Sequence, residues 1–464
     1  MVNRGTVVAE TAAVPSTRQT PSPAAGLPAS RRDRESLAGT VAVAVLLAGG
    51  RWISYLSVGP VYIGDILLGG AIAHALSTRT LRGRRRGPVE GTARGPGPLP
   101  ALVVIYALIR LLITDDDLWL AARDAAPFCY TAIAYLSARA WLLSGEATRR
   151  RTVQLLYWAL VAHLGRVALG VLVPAFQLPG PELGGVHSLE IRSDLDTALL
   201  GVLAGLSILR LRRGAWNWQT VLTAGCCFPL ALALQSRAGL LACCACTLAA
   251  LAMRSGRRKQ AVRTAVVAAA AVIALALLLP SSPAGQRLVA TVSDTASSTG
   301  VAVNAQGTVH GRLIAWDRVV TYTLTDPTRA VFGAGFGSDF LRLSAADQAL
   351  GADQHPGVRS PHNYLLTSFA RLGTLGLAGV AALLAAVLIA VVRDVRADDQ
   401  EELASLCVLL VIALGVVAML GVILESPFGA IPFFWAAGVP LARNRRRRVS
   451  RRAGAPGLNG TATS

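Results

Sequence analysis

The chain has 464 residues, 53% of them hydrophobic and only 15% charged, with a mean hydropathy of +0.51. A soluble domain carries about 25% charged residues, so a soluble globular class is excluded. The formal net charge of +19 does not point to nucleic acid, because the arginines gather in short stretches between apolar runs, as determinants of membrane topology do.

Residues 1–36 are rich in Ala, Pro, Thr, Ser and Arg and have no periodicity. They read as a disordered cytoplasmic tail ending in Arg31, Arg32 and Arg34, too long and polar for the front of a cleaved signal peptide. From about residue 37 the apolar runs begin, and each can cross a bilayer as a helix. Spans are predicted at about 37–56, 60–77, 99–114, 126–144, 152–173, 193–209, 216–234, 238–253, 264–280, 372–392, 403–424 and 428–442. The fold class is therefore an all-α polytopic membrane protein of about 12 transmembrane helices. Nine occupy residues 37–280 and three occupy 362–442, with a large extracytoplasmic loop carrying short helices at 281–361 and a basic tail at 443–464.

Alternate connections carry the arginine excess: Arg82 to Arg86, then Arg149 to Arg151, Arg210 to Arg213, Arg254 to Arg263, and Arg393 with Arg396. The C-terminal tail adds Arg443 and Arg445 to Arg448. Both termini are then cytoplasmic and residues 281–361 face outward. All seven cysteines lie in apolar runs, so no disulfide framework is implied. Cys243, Cys244 and Cys246 read as small packing residues rather than metal ligands.

An ionisable side chain inside a span is expensive, and four places stand out. These are Asp65, the pair His163 and Arg166 on one helix face, Asp194 with Asp196, and Arg123 with Asp124. They read either as inter-helical ion pairs, such as Asp65 or Asp196 with Arg166, or as the wall of a cavity for an anionic headgroup or acceptor. Arg237 lies in the short bend between two spans at the outer face, against the positive-inside trend. It is either a snorkelling arginine or a phosphate ligand.

In the large loop, residues 281–307 read as flexible. From Thr308, Leu313, Ile314, Trp316, Val319, Val320 and Leu324 repeat at about 3.6 residues and predict an amphipathic helix on the outer leaflet, stopped by Asp326 and Pro327. Arg312 shares a face with Trp316 and Val319. Gly333, Gly335 and Gly337 form a GAGFG turn whose backbone N–H groups are candidates for a phosphate contact. Ser360 and Pro361 predict a helix start that puts His362 in the first turn, where the dipole favours a neutral imidazole able to act as a general base. Histidines with Asp339, Asp347 and Asp353 show no metal-ligand spacing.

The SRAGLLA turn, the GRLIAW helix, the GAGFG turn and PHNYLL leading to LGTLGLAG, in that order, resemble the O-antigen ligase and polymerase family of bacterial envelope biogenesis, over about residues 220–385. Gly64 to Leu68 and Arg123-Asp124 also look like that family. The resemblance implies a metal-independent glycosyltransferase of the bacterial plasma membrane, without a cofactor, that moves a glycan from undecaprenyl pyrophosphate to a glycan or lipid acceptor. It implies that Arg237 and Arg312 hold the donor pyrophosphate and that His362 is catalytic, with Asn363, Arg166, Asp65 and Arg123 as accessory candidates. The polymerase branch often carries paired Arg-x10-Gly motifs in two outer loops, and neither outer loop here has one. A transporter or flippase of lipid-linked sugars and a non-enzymatic envelope scaffold are the other function classes that the pattern leaves open.

Overall fold

The computed structural model describes residues 31–58, 61–62, 64–66, 68–70, 95–114, 117–172, 182–183, 186–254, 262, 300–351, 359–399 and 401–453. Within them the chain is helical apart from two short antiparallel hairpins, β1 (Ser57–Val58) with β2 (Val61–Tyr62) and β3 (Glu182–Leu183) with β4 (Val186–His187). The helices of the first half are α1 (Arg31–Ser54), α2 (Leu99–Leu112), α3 (Leu118–Cys129), α4 (Ile133–Leu143), α5 (Glu146–Leu172), α6 (Ser193–Arg212), α7 (Trp218–Ala233) and α8 (Arg237–Ala252). The second half holds α9 (Gly300–Thr325), the short α10 (Pro327–Phe332), α11 (Phe340–Leu343) and α12 (Ala346–Ala349), then α13 (Tyr364–Val395), α14 (Glu402–Ala418) and α15 (Pro427–Ala453).

The all-α class holds. Among the described residues α5 and α13 are long and apolar enough to cross a bilayer by themselves, and several shorter apolar helices accompany them. Most of the predicted span at 60–77 and all of the one at 264–280 lie outside the described residues. Asp65 accepts the Tyr62 N–H at 3.0 Å beside the first hairpin.

The centre of the bundle is α6, buried without interruption from Leu195 to Leu209. It meets α8 through small residues. A Cβ on Gly239 would lie 2.4 Å from Thr197 Cβ, and one on Gly201 would lie 2.6 Å from Cys243 Cα. Close approach over small residues is how helices gain contact where lipid tails are as apolar as leucine. Cys243 and Cys246 are buried in this seam, which agrees with their reading as packing residues.

Two features of the loop region depart from expectation. First, α9 starts at Gly300 rather than near Thr308, so residues 300–307 are helical; Ala302, Ala305 and Gln306 are good helix formers. Second, Ala315 and Val319 are buried with Phe340, Leu341, Ala346 and Ala370 in a small core of their own, while Leu313 and Leu324 of the predicted stripe stay exposed. Trp316 ties α9 to the next segment by donating its indole N–H to the Pro361 carbonyl at 2.7 Å.

The long α13 is broken at Gly373, where φ is 67° and ψ is −166°. A helical carbonyl ordinarily accepts from the N–H four residues on. Around the break, the carbonyls of Ala370 and Arg371 accept instead from the N–H groups of Ala334 and Gly335, at 2.7 and 3.1 Å. The Leu372 carbonyl accepts from the Tyr106 hydroxyl at 3.0 Å. Neither side of this seam has room for a side chain: a Cβ on Gly333 would lie 2.3 Å from the Arg371 oxygen, and one on Gly373 would lie 2.2 Å from the Val331 oxygen.

Candidate active site

Several chain segments meet at one end of the bundle: the starts of α6, α8 and α13, the turn between α14 and α15, and α9. His362 sits there, but not in the first turn of α13. Asn363 is the N-cap, with an extended backbone and a side-chain oxygen that accepts the Leu366 N–H at 3.1 Å. Asparagine is among the strongest N-caps, and it displaces Ser360 from that role. The Ser360 hydroxyl accepts the His362 N–H instead, at 3.1 Å. His362 is left with a φ of 62°, a left-handed conformation that costs a residue with a Cβ about 1–2 kcal/mol.

The strain fixes the ring. His362 Nδ1 lies 3.1 Å from the Ser360 carbonyl. A carbonyl can only accept, so this hydrogen bond places the proton on Nδ1 and leaves the lone pair on Nε2. Burial, followed by the positive charge of Arg312, lowers the imidazole pKa below its usual value near 6.5. Arg192 pushes the same way, and the Ser360 hydrogen bond and Asp194 oppose it. The site thus holds a neutral imidazole with one defined basic nitrogen, the state expected from a helix dipole but reached through a capping loop.

Arg312 donates to the Leu420 carbonyl at 2.8 Å. Its pKa is lowered by burial and by the like charge of Arg237, with Asp194 countering. Arg237 opens α8 behind the Ser236 cap, whose hydroxyl accepts the Gly239 N–H at 3.1 Å. Arg192 holds Asp194 through Nε at 2.9 Å and lies over the Phe428 ring at 4.8 Å. The structure therefore brings His362, Arg312, Arg237 and Asn363 into one neighbourhood, and Asn363 reaches the Met419 carbonyl with its amide at 3.3 Å.

Beneath them lies a hub whose acid, Asp124, stood out in the sequence but whose partners did not. Asp124 Oδ2 accepts from Arg371 at 2.7 Å, from Arg359 at 2.9 Å and from the Gly337 N–H at 3.1 Å. Phe128 of α3 packs on both Phe336 and Tyr364, with ring centroids 5.8 Å apart in each case. The GAGFG turn is thus stapled between α3 and α13. The N–H groups of Ala334, Gly335 and Gly337 are all engaged within the protein, so the turn is structural and its candidacy as a phosphate cradle falls away.

Residues 221–381 match the O-antigen ligase family. This is the resemblance seen in the sequence. No curated protein matches the chain. The O-antigen ligase match spans α8, α9, the GAGFG turn, His362 and the break in α13. The apolar helices that surround the matched region are consistent with a membrane protein of the kind that family comprises.

The other accessory candidates of this O-antigen ligase-like chain make contacts of their own. Arg166 pairs with Asp196 at 2.7 Å and donates to the Glu190 carbonyl at 3.0 Å, so it is the inter-helical ion pair. His163 Nε2 lies 3.4 Å from the same Asp196. Asp65 takes no part in that pair; its second oxygen is 3.5 Å from the Tyr130 hydroxyl. Arg123 is exposed, and its neighbour Asp124 is the residue used. Asp339 caps a short helix through the Arg342 N–H, and Asp347 accepts the N–H of the adjacent Gln348. Among the described residues no three His, Cys, Asp or Glu side chains are grouped to hold a metal ion. His355 and Asp353 lie outside the described residues. One signal could have exposed the Asp124 hub: an acid beside an apolar helix needs a buried partner, and Arg359 and Arg371 are the arginines flanking PHNYLL.

Proposed function

We propose that this chain moves a glycan from undecaprenyl pyrophosphate to a cell-envelope acceptor, with the His362 end of the bundle facing outward. The reading rests on one observation above others: a neutral imidazole with its Nε2 free, beside two arginines from different helices, within the region that matches the O-antigen ligases. Arg237 and Arg312 hold the donor pyrophosphate by charge-assisted hydrogen bonds. His362 Nε2 takes the proton from the acceptor hydroxyl as that oxygen bonds to the anomeric carbon. The bond from that carbon to the pyrophosphate oxygen breaks, and the lipid pyrophosphate leaves with the electron pair. The transition state is oxocarbenium-like, as in glycosidases. Asn363 holds the start of α13 in place, and charge neutralisation comes from the arginines without a metal.

The test is transfer in detergent from a synthetic undecaprenyl-pyrophosphate glycan to a glycan or lipid acceptor. Product must form with EDTA present, and inhibition by EDTA would overturn the metal-independent scheme. Reporter fusions in intact cells test the orientation: fusions within 300–350 should read outside and those after 258 and 450 cytoplasmic. A cytoplasmic signal from the His362 end would overturn the reading, since the lipid-linked donor is used on the outer face.

A further inference from the structure

We propose that Glu425 is a positioning residue for His362, acting through the hydroxyls of Ser360 and Thr367. The proposal rests on the reading of His362 as the base. Glu425 lies in the one-turn 3-10 helix Ile423–Glu425 between α14 and α15. Its neighbours Val422, Ile423 and Leu424 are apolar, and a carboxyl enclosed in such a turn is costly unless its oxygens are used. They are. The Thr367 hydroxyl donates to Glu425 Oε1 at 3.1 Å. The Ser360 and Thr367 hydroxyls lie 3.5 Å apart. With the Thr367 proton committed to the carboxylate, Thr367 Oγ1 is left to accept from Ser360, and Ser360 Oγ presents lone pairs to the His362 N–H. That bond and the one from His362 Nδ1 to the Ser360 carbonyl hold the left-handed turn and the ring together. A strained residue persists only where its surroundings over-determine it.

The same turn of chain serves the rest of the site. Met419 and Leu420, just before it, supply the carbonyls that Asn363 and Arg312 bind. The charged and titratable groups facing Glu425 are Arg371 and Tyr364 of α13 and Asp124 of α3. Burial pushes the Glu425 pKa up to about 7 against the Ser360 and Thr367 hydroxyls and the charge of Arg371.

The experiment uses the full chain with a synthetic undecaprenyl-pyrophosphate glycan, and follows kcat, donor KM and the 15N signals of the His362 ring. Glu425→Leu is expected to lower kcat ~10–100-fold, the scale of a misplaced catalytic group. Donor KM should not change, and the ring should lose its single Nδ1–H tautomer. Glu425→Gln keeps an acceptor oxygen for the Thr367 hydroxyl and should recover most of kcat and the single Nδ1–H tautomer. If Glu425→Leu does not insert stably, Thr367→Val carries the same readouts. Wild-type kcat in Glu425→Leu, or a lowered kcat with an unchanged ring tautomer, would overturn the proposal. An active His362→Ala protein would instead overturn the base reading itself.

Discussion

The two ends of the bundle both gather arginines and treat them differently. At the end away from His362, Arg443 meets Asp394, Asp399 and Glu401 at 3.3, 3.1 and 3.2 Å. Arg447 meets Asp394 at 2.7 Å, and Glu401 also takes Arg149 at 3.4 Å and the Trp141 indole at 2.9 Å. A cavity of about 920 Å³ opens there, walled by five arginines and four carboxylates, so its charge is nearly balanced. At the His362 end, Arg312 donates to a backbone carbonyl and feels the like charge of Arg237, with Asp194 as the opposing acid. Balanced arginines clamp helices together. At the His362 end the like charges of Arg237 and Arg312 act on one another, and Arg312 acts on the His362 imidazole.

The sharpest break of this contrast is chemical. His362→Ala should lower transfer ~10²–10⁴-fold while donor binding persists, because general-base catalysis contributes on that scale and the arginines hold the donor. His310→Ala and His355→Ala should retain wild-type transfer in the same assay. Transfer at the wild-type rate by His362→Ala would remove the base.

The clamp end should respond in stability instead. Arg443→Ala strips a buried arginine from Asp394, and breaking one partner of a buried pair costs ~3–5 kcal/mol. Thermal unfolding in detergent should show the loss, while protein that remains folded keeps its transfer rate. Asp124→Asn shares both behaviours, because it loosens Arg371 and frees the GAGFG turn beneath His362. A stable, fully active Asp124→Asn protein would show that the hub does not support the site.

A smaller effect separates charge from geometry. Lysine at 237 or 312 keeps the charge but lacks the planar fork that grips two phosphate oxygens, so each variant should lose ~1.5–3 kcal/mol of donor binding. Full activity of Arg312→Lys would show that charge alone suffices.

The smallest effect concerns the His362 backbone and ring. His362→Gly should be ~1 kcal/mol more stable than His362→Ala, because only the alanine carries the left-handed penalty; equal unfolding temperatures would show that the loop relaxes. Arg312→Gln should raise the His362 pKa, since that positive charge depresses it. The acid limb of transfer lies below the usual imidazole value in the native chain and should move upward in the variant. A 15N titration reads the shift directly.

Much of this was legible in the sequence because bilayer physics leaves few choices. Apolar length and arginine placement announced the helices, and the order of short motifs announced the O-antigen ligase-like region. Arg237 stood out as a charge in an outer bend, Arg312 as a charge on a loop helix and His362 as an imidazole at a helix start. Asp124 stood out too, but its pairing did not. Asp124 and Arg371 are separated by most of the chain, and nothing in periodicity pairs them. The Asn363 cap was missed because Ser-Pro is also a good helix start, and only the backbone at His362 decides between them. Glu425 did carry a signal, an isolated acid in MLGVILESPFG, where an ionisable residue needs a reason.

The break at Gly373 has a consequence for how the loop breathes. The N–H groups of Ala334 and Gly335 end on carbonyls of α13 rather than on neighbours in their own loop. Solvent can reach those amides only when the loop parts from α13. Their hydrogen–deuterium exchange should therefore be slow for a surface turn, and should keep pace with the amides of α13 on the His362 side of the break.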